Sequence, residues 1–176
     1  MAVHHLAFAT RDLAATDAFY RDVMGFELVK AVVAPTPDGG WAKHVFYDTG
    51  GGTLIAFWDL HDPSIPDTWS PAISTGLGLP AWVNHLAFDA PTLADLEARK
   101  ERWLETGHDV FEIDHGWCRS IYTPDPSDIL VEFCTTMTAF TEADATHAER
   151  VLTDAAPELE APPDAQFHRA KKPATA

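Results

Sequence analysis

The chain has 176 residues, 46% of them apolar, and a formal charge of −15 at pH 7 with histidine neutral. That length supplies one ordinary domain or two small units sharing a core, and the acidic balance sets nucleic acid and anionic membrane aside as partners. No apolar run approaches a membrane span and the N-terminus has no signal-peptide pattern, so the expectation is a soluble, cytoplasmic protein that meets a small molecule.

The first predicted element is a short strand around His4-His5-Leu6-Ala7-Phe8. Asp12 then caps a helix whose apolar positions Leu13, Phe19, Tyr20, Val23 and Met24 recur at helical spacing, and Gly25 ends it. Three strand-like runs follow at 27–34, 41–49 and 53–58, with turns at 35–40 and 50–52. A Pro-rich linker, 61–80, leads to Asn84-His85-Leu86-Ala87-Phe88, where the tetrapeptide HLAF returns. The second copy repeats the plan. Thr92 and Asp95 approximate a capping box, Leu93, Leu96, Trp103 and Leu104 form the apolar stripe, and Gly107 closes it. Strands at 110–113, 119–123 and 129–134 come next, the last two joined by Pro124-Asp125-Pro126-Ser127. Cys118 and Cys134 fit no disulfide or zinc spacing and read as free thiols. One more helix is expected at about 142–153, and from Pro157 onward the composition predicts disorder.

The predicted fold class is therefore α+β, with βαβββ written twice: a first module at 1–60, a linker at 61–81, a second module at 82–140 and a C-terminal extension at 141–176. Neither module can cover both faces of its sheet. Pairing them around a shared concavity, helices outside, is the expected solution.

Strand alternation says what would face that concavity. Leu6 and Phe8 share one face of the first strand and His5 and Ala7 the other; Leu86 and Phe88 oppose His85 and Ala87 in the same way. The bulky faces should meet the helices, which leaves His5 and His85 on the open side with small neighbours. In Ile129-Leu130-Val131-Glu132-Phe133 a single carboxylate interrupts an apolar strand. Burying it costs several kcal/mol, on the order of any unpaired buried charge, unless a cation meets it. Lys43 or Arg119 could serve, or a divalent metal. His5, His85 and Glu132 together make two imidazoles and one carboxylate, a facial triad with open positions suited to Fe(II), Mn(II), Ni(II) or Zn(II).

These stretches resemble the vicinal oxygen chelate superfamily, which includes glyoxalase I, extradiol ring-cleaving dioxygenases, fosfomycin thiol transferases, methylmalonyl-CoA epimerases and metal-free bleomycin-binding proteins. HHLAFATRDLAATDAFYRDVMGFELV, NHLAF and SIYTPDPSDILVEF carry the resemblance over about residues 3–134. It implies paired modules, a metal held by His5, His85 and Glu132, and a homodimer as the assembly. The ends of the copies align with an offset of 76, which sets Glu132 against Ala56 and Tyr122 against Phe46. A glyoxalase I usually has a fourth protein ligand where Ala56 stands, and a fosfomycin enzyme needs cationic groups, of which this acidic chain has few. Extradiol dioxygenases carry S-x-Y-x-x-D-P-x-G, and Ser120, Tyr122, Asp125 and Pro126 occupy its places, with Asp128 where the turn glycine would be. His115-Gly116 matches a second-sphere pair of those enzymes. Their acid-base histidine, however, falls in Gly50-Gly51-Gly52; His44, aligned with Ser120, is the substitute, or else a plain hydrogen-bonded histidine.

The expectation is thus an Fe(II) oxygenase of a small substrate with two adjacent oxygens, catechol-like. Tyr122, His44 and His115 would move protons and Phe46, Trp58 and Trp117 would wall the pocket. An enediolate-stabilising isomerase or lyase, and a metal-free binding protein, stand as the alternatives.

Overall fold

In the computed structural model, which describes residues 3–171, each HLAF segment is a strand whose partner is fixed by the same register. Strand β1 (His5–Thr10) runs parallel to β4 (Leu54–His61), pairing His5 with Leu54 and Ala7 with Ala56. Strand β5 (His85–Asp89) runs parallel to β8 (Leu130–Thr136), pairing His85 with Leu130 and Ala87 with Glu132. Between them lie the remaining elements: helix α1 (Leu13–Ala18), continued by a wider π-type segment Phe19–Val23; strands β2 (Glu27–Pro35) and β3 (Trp41–Asp48); helix α2 (Leu93–Glu105); and strands β6 (Val110–Asp114) and β7 (Cys118–Pro124). The sheets read β1-β4-β3-β2 and β5-β8-β7-β6, so the duplication visible in sequence is a duplication of topology.

The caps form where the sequence places them. Asp12 Oδ1 accepts from Ala15 N at 2.9 Å and Thr92 Oγ1 from Asp95 N at 3.1 Å, each satisfying an amide that the first turn leaves without an intrahelical partner. Gly25 ends the first helix at φ +78°; a Cβ there would stand 3.2 Å from the Arg99 guanidinium, so glycine answers both the backbone angle and a close approach. Strand β4 runs beyond 58 to His61 because β3 accompanies it: Trp41 pairs with His61 and the two rings stack at 3.8 Å. The linker that follows is tied back where Arg11 Nε donates to the Trp69 carbonyl at 2.9 Å.

The apolar faces make one core. Phe19, Tyr20, Met24, Tyr47, Ile55 and Phe57 of the first module are continuous with Leu96, Trp103, Ile121, Val131 and Phe133 of the second, each worth about 1.5–3 kcal/mol for burial. Phe26 packs edge-on against Phe88 at 5.0 Å, Tyr20 OH donates to Asp125 Oδ2 at 3.1 Å, and Arg99 and Arg102 donate to the Met24 and Asp22 carbonyls at 2.9 and 2.7 Å. The helical sides therefore meet. The expected α+β class with two mixed sheets is what forms; within one chain the bulky faces are buried together in that core, and the open face of each sheet lies on the side away from it.

The C-terminal extension also corrects the sequence reading. Helix α3 (Glu142–Thr153) forms behind the Thr141 and Asp144 capping box. Beyond it, where disorder was expected, Asp164–His168 forms strand β9, antiparallel to β6, making the second sheet five-stranded. Arg169 Nη1 meets Asp109 Oδ2 at 2.9 Å, His168 Nε2 meets Glu112 Oε2 at 2.9 Å, Lys171 N donates to the Leu104 carbonyl at 2.9 Å, and Lys171 Nζ pairs with Glu101. An unpaired strand edge, three side-chain pairs of complementary charge and one backbone hydrogen bond hold a segment whose composition alone is that of a tail. The expectation for 172–176 lies outside the described residues. No helix among those described is long and apolar enough to cross a membrane.

Candidate functional site

Alternation along β8 puts Val131 and Phe133 in the core, almost fully buried, and turns Glu132 to the open face. There it does not find Lys43, which pairs with Asp59, or Arg119, which pairs with Asp114. Its partner is His85, Nε2 to Oε2 at 3.1 Å, with the carboxylate side chain only 6% exposed. His85 Nδ1 lies 3.1 Å from the Trp82 carbonyl. A carbonyl oxygen only accepts, so Nδ1 carries the proton. In the neutral imidazole, Nε2 then presents a lone pair to a carboxylate oxygen, and two acceptors face each other. A proton shared between nitrogen and oxygen resolves that contact, and so does a metal ion held by both. The donor set, one imidazole and one carboxylate, suits a first-row divalent ion.

Tyr122 stands directly across from Glu132 in the β7–β8 ladder, and its hydroxyl lies 3.1 Å from His115 Nε2. Burial pushes the phenol well above its ordinary pKa; a Ser120 hydrogen bond opposes this and the Glu132 charge adds to it. Tyr122 is therefore a proton donor, not a base, at neutral pH. Cys118 and Cys134 share this face as free thiols. Burial, with Cys134 beside it, pushes the Cys118 thiol up to about 12, so it supplies no thiolate. Above the His85 and Tyr122 side chains opens a cavity of about 600 Å³, walled by Trp82, Phe111, Ile113, Leu130 and Phe167. That volume suits a small organic molecule.

The first module offers a different surface. His44 is 8% exposed, stacked on Trp58 at 3.7 Å and against Phe46 at 4.1 Å, and its Nε2 is buried without a partner. Burial lowers its pKa, helped by the neighbouring His5, so it is a neutral base at pH 7. His5 contacts the Phe46 ring edge-on at 5.8 Å and shares a 2.8 Å contact between its Nδ1 and that of His4.

The structure thus unites His85, Glu132, Tyr122 and His115 on one sheet, and His5, His44, Phe46 and Trp58 on the other. It does not unite the two groups: among the described residues no three His, Cys, Asp or Glu side chains gather to hold a metal ion within one chain. The reason is the pairing of helical sides described above. Trp117, expected in the pocket wall, lies 46% exposed against Phe140 at 5.1 Å and is not among the cavity's lining residues. Sequence reasoning missed all five wall residues, Trp82, Phe111, Ile113, Leu130 and Phe167. The alternation of Phe111 and Ile113 in β6 was the available signal for two of them.

Comparison with known proteins follows this geometry. The sequence profile of the Glyoxalase/Bleomycin resistance protein/Dioxygenase superfamily matches residues 2–133. The chain belongs to that superfamily. Lactoylglutathione lyase from Agrobacterium tumefaciens is similar in structure at 26% identity, covering 76% of this chain and 92% of its own, with a TM-score of 0.52. The fosfomycin resistance protein FosX from Listeria monocytogenes is 19% identical, covering 82% and 97%, with a TM-score of 0.52. TnmS3, an antibiotic binding protein from Streptomyces, is 16% identical, covering 77% and 96%, with a TM-score of 0.53. No curated protein matches the sequence. Superfamily members include enzymes, commonly use divalent metals and bind small molecules; α3 and β9 lie beyond the matched region.

Proposed function

We propose that this superfamily member is a divalent-metal oxygenase of a small, largely apolar substrate with two adjacent oxygens, its centre completed between two copies of the chain. His85 and Glu132 of one copy would hold the ion together with His5 of the other. The observation that carries the reading is the placement of His85 Nε2 and the nearly buried Glu132 Oε2, 3.1 Å apart beside an apolar cavity. A two-fold dimer supplies the third donor without new sequence, because each open face is free and each is half of a site. Fe(II) is the ion of choice for a facial triad of this type; when bound, it would activate dioxygen and neutralise the substrate's oxygens.

The chain's own residues divide the remaining work. The cavity walls orient the apolar body and exclude water. Tyr122, kept protonated by burial, donates to an oxygen beside the carboxylate, and His115 Nε2 at 3.1 Å exchanges that proton with solvent. His44, neutral and with a free buried Nε2, is the base that the other module brings. A redox-neutral lyase is the second reading, favoured by the 26% identity to lactoylglutathione lyase. Ala56, fully buried where such an enzyme would carry a further carboxylate ligand, weighs against it.

The test is metal content combined with mixing. Purified protein loaded anaerobically with Fe(II) should bind one ion per chain and consume oxygen with catechols; Ni(II)-dependent turnover without oxygen would replace the oxygenase by the lyase. His5→Ala and Glu132→Ala should each lose the ion. Co-refolded, they should recover about one quarter of the wild-type metal, the random-mixing expectation for a dimer with composite sites. Full loss in the mixture would mean sites within single chains, and absence of metal in the wild type would leave a binding protein.

A further inference from the structure

The registers of the second sheet place four side chains in one line across its open face. Glu132 of β8 is directly opposite Tyr122 of β7, Tyr122 opposite Phe111 of β6, and Phe111 opposite Phe167 of β9. Directly opposed residues of antiparallel strands share a face, so carboxylate, phenol, phenyl and phenyl follow one another across three strand spacings, about 14 Å. Tyr122, Phe111 and Phe167 all border the 600 Å³ cavity. The last of the four comes from the strand that the superfamily match, ending at residue 133, does not include.

We propose that β9 makes Phe167 a specificity-determining residue, lengthening the cavity so that it takes an elongated, uncharged aromatic molecule of two or more rings, oxygens toward Glu132 and far ring against Phe167. The orientation within the site rests on the function proposed above; the platform itself does not. A single ring near Glu132 and Tyr122 falls short of Phe167, whereas a second ring reaches it. Phe167 and Phe111 are 54% and 41% exposed, apolar surface that a ligand would cover. The strand is fixed independently of any ligand. Arg169 lies over the outer Phe167 ring at 4.7 Å while its Nη1 pairs with Asp109, and the Lys171 amide anchors the end to Leu104. Ala165 sits across from Ile113 in the neighbouring row, a small residue that leaves the second ring room.

The experiment measures binding of catechol and 4-phenylcatechol by calorimetry under anaerobic conditions, to wild-type full-length protein and to Phe167→Ala, with and without Fe(II). Phe167 is half exposed, so its truncation leaves the fold intact, and Phe167→Leu checks that an apolar side chain restores part of the effect. The wild type should prefer 4-phenylcatechol, and Phe167→Ala should weaken that ligand about tenfold, the scale of one lost aromatic contact, with catechol unchanged. Equal weakening of both ligands, no change in either, or no binding of 4-phenylcatechol to the wild type would overturn the proposal. The metal reading fails separately: if no ion binds and the preference still depends on Phe167, the platform stands without the oxygenase. If the ion binds and the preference ignores Phe167, the reverse holds.

Discussion

The two modules share a topology and a register yet carry different chemistry. In each, the histidine of HLAF lies beside a leucine of the last strand, and the alanine two residues on lies beside position 56 or 132. The first module fills its position with Ala56 and backs it with Phe46; the second places Glu132 there and backs it with Tyr122. One duplicated frame thus holds a base and aromatic rings on one sheet, and an anionic donor, a phenol and a cavity on the other. Duplication fixes where a side chain points; the residue at the point fixes what it does.

The sharpest way to break this comparison is to remove the one difference that matters most. Glu132→Gln keeps the size and takes away the charge, so Fe(II) affinity should fall by at least about a thousandfold, the scale of losing the only anionic donor. His44→Gln on the other sheet should leave metal affinity within about threefold, because its Nε2 is not a donor of the proposed set. Metal titration followed by equilibrium dialysis reads both. If the two variants lose the ion alike, the assignment of donors is wrong.

The opposite change makes the modules more alike. Ala56→Glu would write the second module's carboxylate into the first, at a fully buried position beside Phe46. Without metal it should destabilise the fold by about 3–5 kcal/mol, the cost of an uncompensated buried charge. Added Ni(II) or Zn(II) should return part of that stability, since a ligand binding only the folded state shifts the equilibrium toward it. Urea unfolding with and without the ion measures the difference; a loss that no metal reverses would mean that position 56 does not open onto the centre.

Much of this was legible in the residues. HLAF twice, the caps at Asp12 and Thr92, and the alternation around Glu132 led to the right elements, because side-chain period and capping chemistry are local; Leu6, expected to meet its helix, is instead exposed. The pairing of the modules was not legible. Phe8 and Phe88 declare which side is bulky, but not whether that side meets its own helix alone or the other module too; the contacts that decide it, Tyr20 to Asp125 and Arg99 to Met24, join residues 105 and 75 positions apart. Strand β9 escaped for another reason. Its five residues have little apolar content, and they are held by an edge and by charges on α2 and β6 that no local pattern announces.

The joint between the modules gives a smaller effect with a pH signature. Tyr20 OH donates to Asp125, which also accepts at 2.7 and 2.9 Å from the Ser127 and Ile129 amides. Burial raises the Asp125 carboxyl, and the three hydrogen bonds only partly oppose it. A raised native value means that the folded protein takes this proton before the unfolded chain does. Its contribution to stability is therefore complete below about pH 4 and is lost as pH rises through the raised value. Tyr20→Phe removes one bond to the charged form, so it should cost about 1–3 kcal/mol at pH 7 and less at pH 4. Thermal unfolding at the two pH values checks this; an equal loss at both would take Asp125 out of the account.

The smallest effect comes from the turn that precedes the last strand of each module. The first spells it Gly50-Gly51-Gly52, all at positive φ, and Gly52 at +82° aligns with Asp128, which adopts φ +57°. Asp128 is the only non-glycine among the described residues with positive φ. Aspartate tolerates this region better than most residues because its short side chain bonds locally, but a Cβ still costs something there. Asp128→Gly removes that cost and adds unfolded-state freedom, so the net gain should be at most about 0.5 kcal/mol, or roughly 1–2 °C in melting temperature for a chain of this size. Asp128→Ala keeps the Cβ and loses the polar group, and should destabilise by about 1 kcal/mol. If alanine proves neutral, the turn relaxes out of the left-handed region, and the register that sets Tyr122 opposite Glu132 is held by the strands alone.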